Sequence, residues 1–139
     1  MSADANGTIR GFDHVSLPLQ HPDEMVAFYR ALGCDVAEHK HLVSVYVVNQ
    51  MINLHRPELW QRGFSLRAPA ATPPCGDMCF VWEGSPESLR ALLDAAGAEI
   101  EEGPVPREGA RREQASSVYT RDPDGNLLEF MIYPDGNDG

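Results

Sequence analysis

Apolar and polar residues alternate along this chain in two periods, and the same succession of periods occurs twice. Between Ile9 and Leu19, Val15, Leu17 and Leu19 alternate with His14, Ser16 and Pro18, which is the two-residue period of a half-buried strand. From Pro22 to Leu32 the period becomes helical. Met25, Phe28, Tyr29 and Leu32 make one apolar stripe, Pro22 and Asp23 suit the first turn, and Gly33 suits the C-cap. A polar strand follows from Cys34 to Glu38, and Val43 to Val48 with Met51 to Arg56 reads as a hairpin turning at Asn49-Gln50.

The second copy runs through a strand from Asp77 to Trp82, a helix from Pro86 to Ala96 closed by Gly97, and a strand from Glu99 to Glu102. A hairpin of Ser116 to Arg121 and Leu127 to Tyr133 completes it. Its turn, Asp122-Pro123-Asp124-Gly125-Asn126, has type I chemistry with a left-handed residue at Gly125 or Asn126. The predicted fold is α+β, two βαβββ modules at 9–57 and 76–134 joined by a loop at 58–75. Together they make a single domain over 9–134 with flexible tails at 1–8 and 135–139. Pro57 to Pro74 carries four prolines and no sustained period, and Gly103 to Arg112 reads as a second Gly/Pro/Arg-rich loop. A chain that repeats one unit is expected to place its function at the junction of the copies.

Parity along the strands separates the helix-packed side from the other. If Val15, Leu17 and Leu19 pack under the first helix, His14 and Ser16 turn away from it. By the same rule Asp77 and Cys79 oppose Met78, Phe80 and Trp82; Asn53 and His55 oppose Ile52 and Leu54; Glu129, Met131 and Tyr133 oppose Leu128, Phe130 and Ile132. Two imidazoles and one or two carboxylates on one concave face are a ligand set for a divalent metal with open positions. Taken singly, each residue has an ordinary reading: His14 as a hydrogen-bonded surface group, His55 as a strand-end cap, Glu129 as an exposed strand residue. Their repeat-related positions set them apart. His39 and His41 read as solvated, His21 as exposed before a helix-opening proline, and Cys79 as a small buried residue or a soft ligand.

Composition narrows the class. At 139 residues and 42% hydrophobic, the chain suits one globular domain, and no apolar run approaches the roughly 20 residues of a membrane span. Eleven Lys+Arg against 21 Asp+Glu give a net charge of −10, which argues against nucleic acid and anionic membranes as partners. Cys34, Cys75 and Cys79 form neither an even framework nor a C-x-x-C pair, and a reducing cytoplasm is the expected location.

The segments Phe12-Asp13-His14-Val15, Phe28-Tyr29-Arg30-Ala31-Leu32-Gly33 and Arg121-Asp122-Pro123-Asp124-Gly125-Asn126-Leu127-Leu128-Glu129 resemble the vicinal oxygen chelate superfamily, the glyoxalase/bleomycin-resistance/dioxygenase fold. Ile52-Asn53-Leu54-His55 and Glu101-Glu102-Gly103-Pro104-Val105 are similar to the glyoxalase domain-containing protein 5 subgroup. The resemblance covers roughly Gly11 to Tyr133. It implies eight strands in a partly open, cupped mixed sheet around one divalent metal, commonly in a homodimer. His14 matches the first ligand position and Glu129 the last. Asn53 stands where the glyoxalase I pattern has Glu, and Asp77 where it has His. The implied set is therefore His14, His55 and Glu129, with Asp77 as a fourth ligand, and Glu129 then Asp77 as the groups that move a proton.

Three functions follow as expectations. The first is a metal-dependent lyase or isomerase that chelates vicinal oxygens of a small metabolite and stabilises an enediolate-like oxyanion. The second is an Fe(II) extradiol-type dioxygenase, and the third a non-catalytic protein that sequesters a drug or metabolite. Zinc, nickel or manganese suits the first, and iron the second. Tyr46 and Tyr119 are candidates to line the pocket, and Arg107, Arg111 and Arg112 to close over an anionic substrate. Leu59, Trp60, Phe64 and Leu66 make the inter-module loop too apolar for a solvated linker, so it is expected to pack on a partner chain with Trp60 as anchor.

Overall fold

In a computed structural model, which describes residues 6–134, each predicted module is present as a four-stranded mixed sheet with one long helix. Module 1 contains β1 (His14–Pro18), α1 (Pro22–Ala31), β2 (Asp35–Glu38), β3 (Leu42–Val47) and β4 (Gln50–His55), in the order β1-β4-β3-β2. A short helix, α2 (Pro57–Trp60), opens the connection. Module 2 contains β5 (Asp77–Val81), α3 (Pro86–Ala95), β6 (Glu102–Glu108), β7 (Gln114–Arg121) and β8 (Leu127–Ile132), in the order β5-β8-β7-β6. In each copy the first strand runs parallel to the last, and the other pairs are antiparallel. The eight strands thus form two sheets of four, with β1 and β5 each an edge strand.

One core serves both modules. Leu19, Met25, Tyr29, Val43 and Leu54 from the first belong to the same buried cluster as Leu89, Leu93, Leu128 and Phe130 from the second. The turn after β7 locks the modules together. Tyr29 donates its hydroxyl hydrogen to Asp122 at 2.7 Å, and Asp124 accepts from the backbone N–H groups of Gln20 and His21 at 2.7 and 2.8 Å. His21 is exposed, as expected, but its Nδ1 also lies 3.0 Å from Asp124. Gly125 holds the left-handed position at φ +100°.

Four expectations are corrected. The strand anticipated from Ile9 begins only at His14, and Val15 is 41% exposed rather than packed under α1. The β3–β4 turn falls on Val48-Asn49, one residue early. Burying Val43 and Val45 against Leu54 and Ile52 fixes the register, and Val47 then pairs with Gln50. That leaves a β-branched residue, Val48, at φ +55°. The supposed loop after Glu102 is mostly β6, for an edge strand tolerates Pro104 and Pro106, whose missing N–H groups leave no ladder bond unmade inside the sheet. Finally, Trp60 turns inward: its Nε1–H donates to the Leu19 carbonyl at 2.9 Å, so it seals its own chain. The flexible tails expected at 1–8 and 135–139 lie outside the described residues over 1–5 and 135–139.

Candidate functional site

The strand registers place the predicted chemistry on the faces that parity anticipated. On module 1, Ser16 lies beside Asn53, and Ser44 opposite it, donating to Asn53 Oδ1 at 2.8 Å. His14 Nδ1 is 2.7 Å from Asp13 Oδ1, a carboxylate–imidazole pair that orients the ring and leaves Nε2 outward. His14, Asn53 and His55 line a cavity of about 300 Å³ that the inter-module loop roofs with Trp60, Phe64 and Arg67. The His55 and Phe64 rings meet edge-on at 5.5 Å. Partial burial, and then the Arg67 guanidinium, lower the His55 pKa.

On module 2, Cys79 lies beside Glu129 and Tyr119 lies opposite it. Glu129 accepts a 2.6 Å hydrogen bond from Ser117, a fully buried side chain. Burial, Glu129 and then Asp77 push the Cys79 thiol up to about 12, so in the metal-free chain it stays protonated. Arg107 on β6 donates from Nε to the Tyr119 hydroxyl at 2.9 Å, and the Arg111 guanidinium sits 4.2 Å above the Tyr133 ring.

A second space, about 340 Å³, lies where the modules meet. Phe12, His14, Val15 and Met51 line it from module 1, and Met78 and Cys79 from module 2. His14 borders both this cleft and the module 1 cavity. The junction of the modules, where function was expected, thus holds a cleft. The four expected ligands are not gathered there: His14 and His55 share the module 1 cavity, while Asp77 and Glu129 flank Cys79 on module 2. Among the described residues, no three His, Cys, Asp or Glu side chains lie together as one ion would require. The donor chemistry fits a divalent cation; the placement of these donors within one chain does not assemble a centre.

Two supporting residues escaped the sequence reading. Ser44 and Ser117 each bind the group on the neighbouring last strand, Asn53 or Glu129, yet a serine on a polar strand face looks like any solvated one. Asp13, which pairs with His14, was given no role there either, although a carboxylate beside a ligand histidine is a common orienting partner.

Comparison with known proteins follows this geometry. The chain is 34% identical over 131 residues to the glyoxalase domain-containing protein RDO1 of Mycosarcoma maydis, spanning 92% of this chain and 71% of the relative. It is 35% identical over 123 residues to virulence protein STM3117 of Salmonella typhimurium, covering 87% and 83%. The chain belongs to the glyoxalase/bleomycin-resistance/dioxygenase superfamily. The crystal structure of STM3117 superimposes with a TM-score of 0.80 over 91% of this chain and 98% of that one. A lactoylglutathione lyase from Agrobacterium tumefaciens shares the fold at 22% identity, with a TM-score of 0.67 over 89% and 94%. No family model matches. In superfamily terms, the two βαβββ modules are the vicinal oxygen chelate architecture. Among the described residues, no helix is long and apolar enough to cross a membrane.

Proposed function

We propose that this superfamily member is a glyoxalase-type enzyme, a lyase or isomerase acting on a small oxygenated metabolite, with a site completed by pairing of two chains. The carrying observation is the division of one donor set into two half-sites: His14 and His55 on module 1, Asp77 and Glu129 on module 2. A second copy that sets module 1 of one protomer against module 2 of its partner unites them. The exposed apolar residues suit such pairing. Phe12 is 80% exposed, and Val15 and Val81 stand on the unpaired edge strands β1 and β5.

A divalent cation bound there would polarise two vicinal substrate oxygens and acidify the adjacent C–H. The chain's own groups would do the rest. Asp13 fixes the His14 ring, Ser117 holds Glu129 in place, and the Glu129 carboxylate would take a proton from the substrate carbon and return it. Cys79, uncharged, neither competes as a base nor adds negative charge beside Glu129. The pairing of His14 with His55 supports a second reading, because two imidazoles with one carboxylate also suit Fe(II) and oxygen chemistry.

Elemental analysis of protein purified anaerobically tests both readings. Zinc, nickel or manganese near one per chain supports isomerisation, and iron supports the dioxygenase. His14→Ala and Glu129→Ala should each lose tight binding after dialysis, with Asp77→Ala weakened less. Unchanged metal content in both the His14 and Glu129 variants, or sedimentation showing only a monomer, would sink the proposal.

A further inference from the structure

Glu129 is flanked on its face of module 2 by two arginine–tyrosine pairs, and neither guanidinium is used by the chemistry above. Tyr119 is directly opposite Glu129 across β7–β8, and Tyr133 lies four residues farther along, on the same face. Arg107 pairs with Ala115, so its side chain shares that face. It reaches back to place its guanidinium carbon 5.5 Å from the Tyr119 ring centre, donating from Nε to the phenol at 2.9 Å and from Nη1 to the Pro106 carbonyl at 2.8 Å. Its Nη2 has no partner among the described residues. Because the phenol oxygen accepts from Arg107, the Tyr119 O–H is free to donate outward.

The second pair is equally tied down. Tyr133 is 3% exposed, and its hydroxyl accepts from the Arg111 backbone N–H at 3.3 Å while its ring lies under the Arg111 guanidinium. Gly109 lets this loop come so close, since a Cβ there would collide with Tyr133 Oη and Met131 Sδ. Among the described residues, no carboxylate is within ion-pair distance of Arg107 or Arg111, whereas Arg30, Arg56 and Arg121 each have one.

We propose that Arg107–Tyr119 and Arg111–Tyr133 form an oxyanion-reading wall, so that the substrate bears a carboxylate or phosphate besides the oxygens presented near Glu129. The inference rests on the glyoxalase-type reading and specifies its substrate class. A guanidinium held by a ring rather than by a carboxylate keeps its planar donor fork pre-set for an incoming oxyanion. The charge argument points the same way. The chain carries −10 overall, and Asp77 and Glu129 are acids on this module, so an anionic substrate is repelled unless local cations offset them. Arg107 and Arg111 are the cations so placed, with Glu108 and Glu113 as the acidic neighbours along the same segment.

Calorimetric titration of chelator-treated protein with malonate, inorganic phosphate and uncharged malonamide tests this without any metal. Saturable binding of malonate, phosphate or both is expected, with none of malonamide; the anion preferred distinguishes a carboxylate from a phosphate substrate. Arg107→Gln should weaken it by on the order of 10-fold or more, and Arg111→Gln and Tyr119→Phe by less. Arg107→Lys should recover part of the loss. Arg90→Gln, on α3 beside a separate cavity, should bind as the parent does. No saturable anion binding, or equal affinity in the Arg107→Gln and Arg111→Gln variants, would overturn the wall. Because metal is absent throughout, a failed metal assay leaves this result standing, and the reverse also holds.

Discussion

Module 1 and module 2 share a backbone plan and differ in nearly everything their concave faces offer. Where the first places Asn53 beside Ser16 and opposite Ser44, the second places Glu129 beside Cys79 and opposite Tyr119. The first presents imidazoles, with the His55 pKa lowered by partial burial and Arg67. The second presents acids, and burial and then their charge raise the Cys79 thiol. Duplication supplied the geometry, and divergence assigned neutral donors to one half and anionic groups with compensating guanidiniums to the other. The helices diverge as well. α1 buries Met25, Val26, Phe28 and Tyr29, whereas α3 buries Leu89 and Leu93 and relies on Ser85 capping the Ser88 N–H.

The largest expected effect asks whether the modules are thermodynamically separate. Met25→Ala in α1 and Leu93→Ala in α3 each empty part of one shared cluster, and each should cost about 2–5 kcal/mol. Because the cluster is common, both should lower a single cooperative denaturant transition. Two resolved transitions, with each variant moving only one, would show that the halves fold independently.

Next comes the asymmetry between the two serines. Ser117→Ala releases Glu129 and should weaken metal binding about 10–100-fold, the usual cost of losing a partner that orients a ligand. Ser44→Ala releases Asn53, which is not in the proposed set, and should leave affinity within about twofold. Equal losses in the two variants would make Asn53 the ligand in place of His55.

How far these residues could be read beforehand follows from what each depends on. The modules were legible because the alternation of Val43, Val45, Ile52 and Leu54 is local and burial enforces it. The facing of His14, Asn53 and Glu129 came from the same parity. What failed depended on partners distant in sequence. Gly103, Pro104 and Pro106 look like a loop until β7 is seen to supply the single neighbour that an edge strand needs. Trp60 looks like an interface anchor until the Leu19 carbonyl offers its indole N–H a partner. That the two pairs of donors would not meet within one chain was likewise invisible, since parity gives the face of a residue and not the distance between sheets.

Thiol chemistry gives a smaller effect. The thiolate is the reacting species, so a thiol raised to about 12 should resist iodoacetamide at pH 8 while Cys75, exposed as Cys79 is, is labelled. Glu129→Gln removes a carboxylate that raises this pKa; the pKa then falls, more thiolate is present at fixed pH, and labelling should quicken by on the order of 10-fold. Mass-spectrometric labelling rates would show this, and an unchanged Cys79 rate in Glu129→Gln would mean the two groups do not interact.

The smallest effect compares the two hairpin turns. Module 2 turns through Gly125 at φ +100°, a conformation glycine adopts without a steric cost, whereas module 1 turns through Val48 at φ +55°. Val48 is 97% exposed, so replacing it sacrifices no packing within the chain. Val48→Gly relieves the left-handed strain of a β-branched residue, about 1–3 kcal/mol. Against this stands the greater freedom glycine gives the unfolded chain, about 0.5–1 kcal/mol. The net expectation is a gain on the order of 1 kcal/mol, and Gly125→Val should move stability the opposite way. Denaturant midpoints measured at two protein concentrations decide the cause. A gain independent of concentration confirms relief of backbone strain, whereas a loss that grows on dilution would place Val48 in the contact between chains and attribute its tolerated strain to pairing.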